Sequence, residues 1–230
     1  MIKIILVEPK TPGNIGAVAR AMKNFGFRDL ALVNPNCDPL ARDSIDRASH
    51  GFDVLESAER LSQIPKLDCL IATTGKLGTD FNLKRSPISP KEMAEKISGS
   101  KNKKRSVGIL FGREDTGLKN KEIEICDFTV SINTHKNYPV MNLSHSVAII
   151  LYELSEYMNK KEEKINNITL IGKKEKDELL KLVFQTLDEM KFSSPHKKET
   201  QKRLWKRVLG KAMLTKREFM ALMGYFRKIN

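Results

Sequence analysis

Apolar residues in this chain fall into short blocks separated by stretches with helical spacing. Five blocks, Lys3–Val7, Leu30–Val33, Asp68–Thr73, Val107–Phe111 and Phe128–Ile132, are β-branched or apolar runs ending near Gly, Asn or Thr, and predict strands. Between the first two, Ile15, Val18, Ala19, Met22 and Phe25 form a helical stripe that stops at Gly26, a residue suited to a left-handed cap. Ser89-Pro90-Lys91-Glu92 reads as a capping box with proline at the first helical position, opening a helix to about Ile97. Leu143–Met158 predicts a long helix whose apolar residues cover more than one face, as expected if the sheet covers one side and a partner subunit another. Strands alternating with helices imply an α/β fold with a mostly parallel sheet.

Beyond this helix the pattern changes. Residues 161–174 are polar and poorly periodic and predict a linker between an α/β domain, 1–160, and a small helical domain, 175–230. Three helices are expected there: Glu175–Met190, Lys197–Gly210 and Thr215–Ile229, the last opened by the capping box Thr215-Lys216-Arg217-Glu218. In the middle one Leu204, Trp205, Val208 and Leu209 supply the apolar stripe, leaving Lys202, Arg203, Lys206, Arg207 and Lys211 to face elsewhere.

Charge sharpens this division. Of a formal net charge of +13, residues 1–160 contribute 23 Lys and Arg against 19 Asp and Glu, whereas residues 161–230 contribute 18 against 9. Residues 191–217 hold ten basic residues and one acidic residue, Glu199. A local excess of one sign is the footprint of phosphate neutralisation, so a polyanion partner is expected. Cys37, Cys69 and Cys126 are far apart and unpaired in spacing, and read as buried thiols in a reducing compartment. His50, His135, His145 and His196 lack metal-ligand spacing, so no metal is expected. No apolar run approaches membrane-spanning length and no leader precedes the first strand, which makes the cytoplasm the expected location.

Ligands of open parallel sheets bind beyond the carboxyl ends of the strands. Four loops there carry unusual residues: TPGNIG, ATTGKLGTD, FGREDTGL and INTHKNYPVMNLSHS. In the first, Gly13 and Gly16 permit close backbone approach, Asn14 stands where a helix N-cap belongs, and Arg20 falls off the apolar stripe. Taken alone, that fragment reads as a capped helix with a solvent arginine. FGREDTGL is not a Walker loop, since no Lys-Ser/Thr follows its glycines, and it reads equally as a turn that needs glycine. Asn142 precedes the long helix and competes as its N-cap.

In order, N-I-G-A-V-A-R-A-M-K-N-F-G (14–26), I-L-F-G-R-E-D-T-G-L (109–118) and Y-P-V-M-N-L-S-H-S-V-A (138–148) resemble the three motifs of the SpoU/TrmH superfamily of RNA ribose methyltransferases, over nearly all of residues 1–157. The spacing and the basic helical extension are most similar to the TrmJ branch, whose members methylate tRNA at the 2′-oxygen of nucleotide 32. The resemblance implies S-adenosyl-L-methionine as cofactor, tRNA as partner, a homodimer and a trefoil-knotted α/β domain. It places the cofactor against Thr73, Thr74 and Gly75, then Gly112, Glu114 and Gly117, then Ile132, Met141, Asn142 and Leu143. It makes Arg20 and Asn142 catalytic, with Arg20 acting at the partner's cofactor site. Arg20, Lys202, Arg203, Lys206 and Arg207 are the expected RNA contacts. A guanidinium is a poor base, so Arg20 is expected to hold an RNA phosphate and orient the ribose hydroxyl. The third motif departs from the family's P-S-L-N, with Val140 in place of the serine. Two alternatives accompany this reading: a ribosomal RNA ribose methyltransferase of the same superfamily, and a catalytically silent RNA-binding protein with the same fold.

Overall fold

A computed structural model of the chain describes residues 1–75, 87–99, 105–135, 137–159, 170–212 and 214–229. Lys76–Asp80 of the second predicted loop and residues 161–169 of the predicted linker lie outside the described residues.

Six described strands form one parallel sheet: β1 (Ile2–Val7), β2 (Leu30–Val33), β3 (Glu59–Leu61), β4 (Cys69–Thr73), β5 (Val107–Phe111) and β6 (Phe128–Val130). Their order is β3-β2-β1-β5-β4-β6. The central strand β1 pairs on one side with β2, Ile4 opposite Leu30, and on the other with β5, Ile4 opposite Ile109. Alternate residues of its apolar run serve different faces. Ile4 and Leu6 pack into one cluster with α1 (Pro12–Asn24), α4 (Pro90–Ser98) and α6 (Leu143–Asn159). Ile5 and Val7 pack into another with Leu118, Cys126 and Ile123 of α5 (Asn120–Glu124). This two-sided burial is why the strands read as continuous apolar runs.

All five predicted strands are present, two with the predicted bounds and three with one end shifted by one or two residues. The edge strand β3 escaped prediction because Glu-Arg-Leu has no apolar run to betray it. The short helices α2 (Arg42–Ala48), α3 (Phe52–Glu56) and α5 were also unpredicted; each is too short to display a helical period. The capping box at Ser89 forms as expected, with the Glu92 amide donating to the Ser89 hydroxyl and the Ser89 amide to the Glu92 carboxylate. Gly26 takes a φ of +80° after α1, as a left-handed cap requires. Asn14 is a correction: α1 begins at Pro12 with Thr11 at its N-cap, so Asn14 lies inside the first turn. Proline at the first helical position explains the earlier start, because its missing N–H has no intrahelical partner to lose.

Residues 173–229 carry three helices, α7 (Lys173–Glu189), α8 (Pro195–Ala212) and α9 (Lys216–Ile229), around a cluster of their own that includes Leu179, Val183, Leu209, Phe219 and Phe226. Trp205 meets Phe226 edge-to-face with ring centroids 5.5 Å apart. These helices are fastened to the sheet by a buried ion pair. Lys176 Nζ donates to Asp127 Oδ1 at 2.6 Å, while Asp127 Oδ2 accepts from the Leu70 amide at 2.9 Å. Val208 is another correction: it is 46% exposed, because the turn of α8 seated against the sheet brings Leu209 and Gly210 inward instead.

Glycine is required where α1 crosses α2. A Cβ on Gly16 would lie 1.9 Å from the Ser44 carbonyl oxygen, a backbone atom that cannot yield. Gly16→Ala should therefore destabilise the fold by about 1–3 kcal/mol. Gly224→Ala, in α9 with nothing within 4 Å of the new methyl, should stabilise it by about 0.4–1 kcal/mol. Urea denaturation of the two variants beside the parent checks both signs.

Candidate active site

The carboxyl ends of β4, β5 and β6 and the start of α6 surround an open cleft of about 200 Å³. Thr73, Thr74 and Gly75 form one wall, Gly112, Glu114 and Gly117 a second, and Ile132, Met141 and Leu143 a third. Nine of the ten residues expected to face a cofactor are thus gathered at one place; Asn142 stands behind the wall. Phe111, Leu118, Val130 and Ile150 add apolar surface, and Val140 lines the rim.

Local backbone chemistry shapes each wall. Thr73 Oγ1 donates to the Leu110 carbonyl at 2.8 Å, and the Thr74 amide donates to Val130 at 3.0 Å, so the end of β4 is held from both sides. Gly117 has a φ of +69°, which closes the FGREDTG loop on itself. A Cβ on Gly112 would then sit 2.2 Å from the Leu118 nitrogen.

Arg113 is the loop's internal brace. Its side chain is 4% exposed and reaches Glu8 at 2.6 Å and Glu122 at 2.8 Å, while Nη1 donates to the Gly117 carbonyl at 3.1 Å. The Arg113 hydrogen bond holds the Glu8 carboxyl at about 2, well below its ordinary 4.5. Burial would raise Glu122, but Arg113 and the Lys119 amide together outweigh it and the carboxyl stays below its usual range. Sequence reasoning passed over Arg113; a basic residue between loop glycines and followed by acids is the signal that was there.

Glu114 joins the second motif to the first. Its carboxylate accepts from the Lys10 amide at 3.0 Å, the Thr11 amide at 3.1 Å and Asn14 Nδ2 at 3.1 Å. It therefore sits at the positive end of α1, a position that favours a negative charge. Burial alone would raise its pKa, and the hydrogen bonds from Asn14 and the two amides hold it below the ordinary range instead. Asn142 Nδ2 donates in turn to Asn14 Oδ1 at 3.0 Å, and Asn142 Oδ1 accepts from the Ser144 amide at 2.9 Å. Asn142 is thus the N-cap of α6 and a link to α1 at once. Asn14 bridges the three motifs instead of capping its own helix.

Arg20 is not part of this cleft. It stands exposed on the outer side of α1, and among the described residues no hydrogen bond or ion pair holds its guanidinium. Of the four α8 cations expected to contact RNA, Lys202 and Lys206 have partners within the chain. Lys202 pairs with Asp188 at 2.8 Å and lies 5.7 Å from the Phe184 ring centroid, and Lys206 donates to the Glu124 carbonyl at 2.7 Å. Arg207 is half-buried, and burial pushes its guanidinium below its usual pKa; Arg203 is exposed. The Lys206 contact ties α8 to the end of α5. Cys69 and Cys126 are buried as expected, burial pushing the Cys69 thiol up to about 12, but Cys37 is only half-buried. Among the described residues no group of three or more His, Cys, Asp and Glu is placed to hold a metal ion, and no helix is long and apolar enough to cross a membrane.

Residues 1–152 match the SpoU rRNA Methylase family. The chain belongs to that family. Over 233 residues it is 41% identical to the tRNA (cytidine-2'-O-)-methyltransferase TrmJ of Methanocaldococcus jannaschii, covering 99% of each chain. It superposes on the crystal structure of TrmJ from Z. mobilis ZM4 with a TM-score of 0.68 and 26% identity, over 100% of this chain and 99% of that one. The SpoU methyltransferase AviRb from Streptomyces viridochromogenes, solved in complex with AdoMet, shares the fold at a TM-score of 0.51 and 21% identity, over 70% of this chain and 59% of that one. The resemblance to SpoU/TrmH enzymes, and within them to TrmJ, is borne out. The chain is an enzyme of the RNA methyltransferase class, and its cleft lies where the three motifs of that family meet.

The sign of the pH effect at this site follows from Glu8. Its carboxyl is lower in the folded state, so its pairing with Arg113 stabilises the fold fully above about 4.5, and that contribution is lost as pH falls towards about 2. The stability difference between the parent and Glu8→Gln, followed by urea midpoints from pH 7 to pH 2, should shrink steadily over that window. Arg113→Ala, which strands two partly buried carboxylates, should cost about 3–5 kcal/mol near neutral pH.

Proposed function

We propose that the protein is an S-adenosyl-L-methionine-dependent tRNA 2′-O-ribose methyltransferase, acting at nucleotide 32 of the anticodon loop as a homodimer in the cytoplasm. The observation that carries this reading is the cleft itself: nine of the ten expected cofactor contacts line one surface, beside which three motifs distant in sequence are joined through Glu114, Asn14 and Asn142. The near full-length similarity to TrmJ supports tRNA over ribosomal RNA as the acceptor.

The residues present fit the cofactor. Phe111, Leu118 and Leu143 offer apolar surface to a planar base, and the backbone at Gly75 comes so close to the opposite loop that a Cβ there would lie 3.2 Å from the Pro139 carbonyl. When bound between these walls, S-adenosyl-L-methionine would supply an electrophilic methyl group for the ribose 2′-oxygen. The protein's task is to align the hydroxyl and exclude water. Asn142 acts by fixing the start of α6 under the cleft. Arg20 acts from the other protomer, its guanidinium forking onto an RNA phosphate and setting the ribose in line. Its exposed, unheld position on α1, outside its own cleft, supports that assignment. Tyr152, exposed on α6 and against Phe25 at the end of α1, and Met158, exposed further along α6, supply apolar surface for the dimer contact. The trefoil knot belongs to the same proposal. It is supported by the path of the chain after β6, which passes the loop following β4 at Gly75 before α6 packs back on α1 and α4.

Incubation with methyl-labelled cofactor and tRNA, followed by mapping of the modified ribose, should place the label on the 2′-oxygen of nucleotide 32. Label on ribosomal RNA fragments alone would favour the other acceptor, and no transfer to any RNA would favour a silent binding protein. Arg20→Ala should reduce transfer by about 100-fold or more while leaving cofactor affinity within a factor of two. Mixing Arg20→Ala protomers with Gly117→Val protomers should restore part of the activity that each lacks alone. No recovery in subunit-exchanged mixtures would place Arg20 in its own chain's site.

A further inference from the structure

Leu143, Ser146 and Ile150 are the residues of α6 that line the cleft, one face at helical spacing. Leu143 is 6% and Ile150 0% exposed, and the equally buried Phe111 and Val130 line the same deep end from β5 and β6. Ser146 is half-buried between the two apolar residues of its own helix, and among the described residues it is the one polar side chain that α6 turns to the cleft. It stands inside the third motif, yet outside the residues that the family resemblance places against the cofactor.

The hydroxyl of Ser146 has a fixed direction. The Asn142 carbonyl accepts from the Ser146 amide at 2.9 Å and from Ser146 Oγ at 3.1 Å. Asn142 is itself held, through the Ser144 amide and through Asn14. With its proton committed to the helix, the hydroxyl presents only lone pairs to the cleft, so what it can bind there is a donor. The surroundings narrow the donor further. An ammonium group or a ribose hydroxyl carried into this apolar end would leave the rest of its hydrogen-bonding capacity unmet. A planar base buries apolar faces and brings polar atoms only at its edge, and on adenine the donor of that edge is the exocyclic amino group.

Resting on the cofactor reading above, we infer that Ser146 Oγ accepts a hydrogen bond from the adenine amino group of S-adenosyl-L-methionine and so selects an aminopurine for the cleft. A purine with an oxo group in that place would set a carbonyl oxygen against the same lone pairs. One with hydrogen there would leave the hydroxyl oxygen without its second partner. Ser146 is thereby a specificity-determining residue, positioned by the same Asn142 that starts α6.

The test is calorimetric binding to the full chain. S-adenosyl-L-homocysteine is the unreactive probe, and its analogue with hydrogen in place of the adenine amino group is the control. Ser146→Ala suits the purpose, since alanine is the better helix former and the change removes only the hydroxyl. The variant should lose about fivefold in affinity for S-adenosyl-L-homocysteine and keep the parent's affinity for the analogue. Equal losses on both probes would show that Ser146 shapes the cleft for any base and would overturn the assignment, as would no loss on either. A parent protein that binds neither probe would defeat the cofactor reading and this assignment with it, whereas binding of both with the preference intact in Ser146→Ala would defeat the assignment alone.

Discussion

The carboxylate of Glu114 is the point on which the active edge of the sheet turns. It accepts two backbone amides and one side-chain amide at the start of α1, and through Asn14 it connects to the N-cap of α6. A charged acceptor at a helix N-terminus is held by the helix dipole and by hydrogen bonds that need no solvent, so the three loops share one rigid geometry. Without these contacts, the donors at the start of α1 and the half-buried Glu114 charge would each lack a partner.

Arg113 does for the loop's interior what Glu114 does for its rim. One guanidinium binds Glu8 at the end of β1, Glu122 in α5 and the carbonyl of Gly117. Such buried networks contribute little net stability compared with an apolar core, yet they impose one arrangement, since losing any member leaves another unsatisfied. In a cleft formed by glycine turns, uniqueness of arrangement is the property that matters, because Gly112 and Gly117 would otherwise allow many loop shapes.

The C-terminal helices are held by the same kind of contact. Asp127 and Lys176 form a buried bond that seats α7 and, with it, α8 against the sheet. The cations of α8 therefore occupy a fixed position relative to the cleft, where a freely tethered basic tail would only raise the local concentration of RNA. The placement of Lys206 on the carbonyl of Glu124 is one result of that seating.

Much of this architecture was legible in the order of residues. Apolar runs buried on both faces of a parallel sheet betray themselves as strands, so β1, β2, β4, β5 and β6 could be read from pattern alone, as could the capping boxes at Ser89 and Thr215. The three motifs identified the family, because each falls at the end of a strand where ligands collect. What stayed hidden depends on contacts across a hundred residues. Asn14 looks like a helix cap until Glu114 and Asn142 are beside it, Arg113 looks like a surface cation until Glu8 and Glu122 enclose it, and Val208 looks like core until Leu209 and Gly210 take its place. Local sequence encodes periodicity and capping, which are properties of a segment by itself. The fate of a charged or amide side chain is set by the partners that folding brings to it, and only the tertiary structure supplies those.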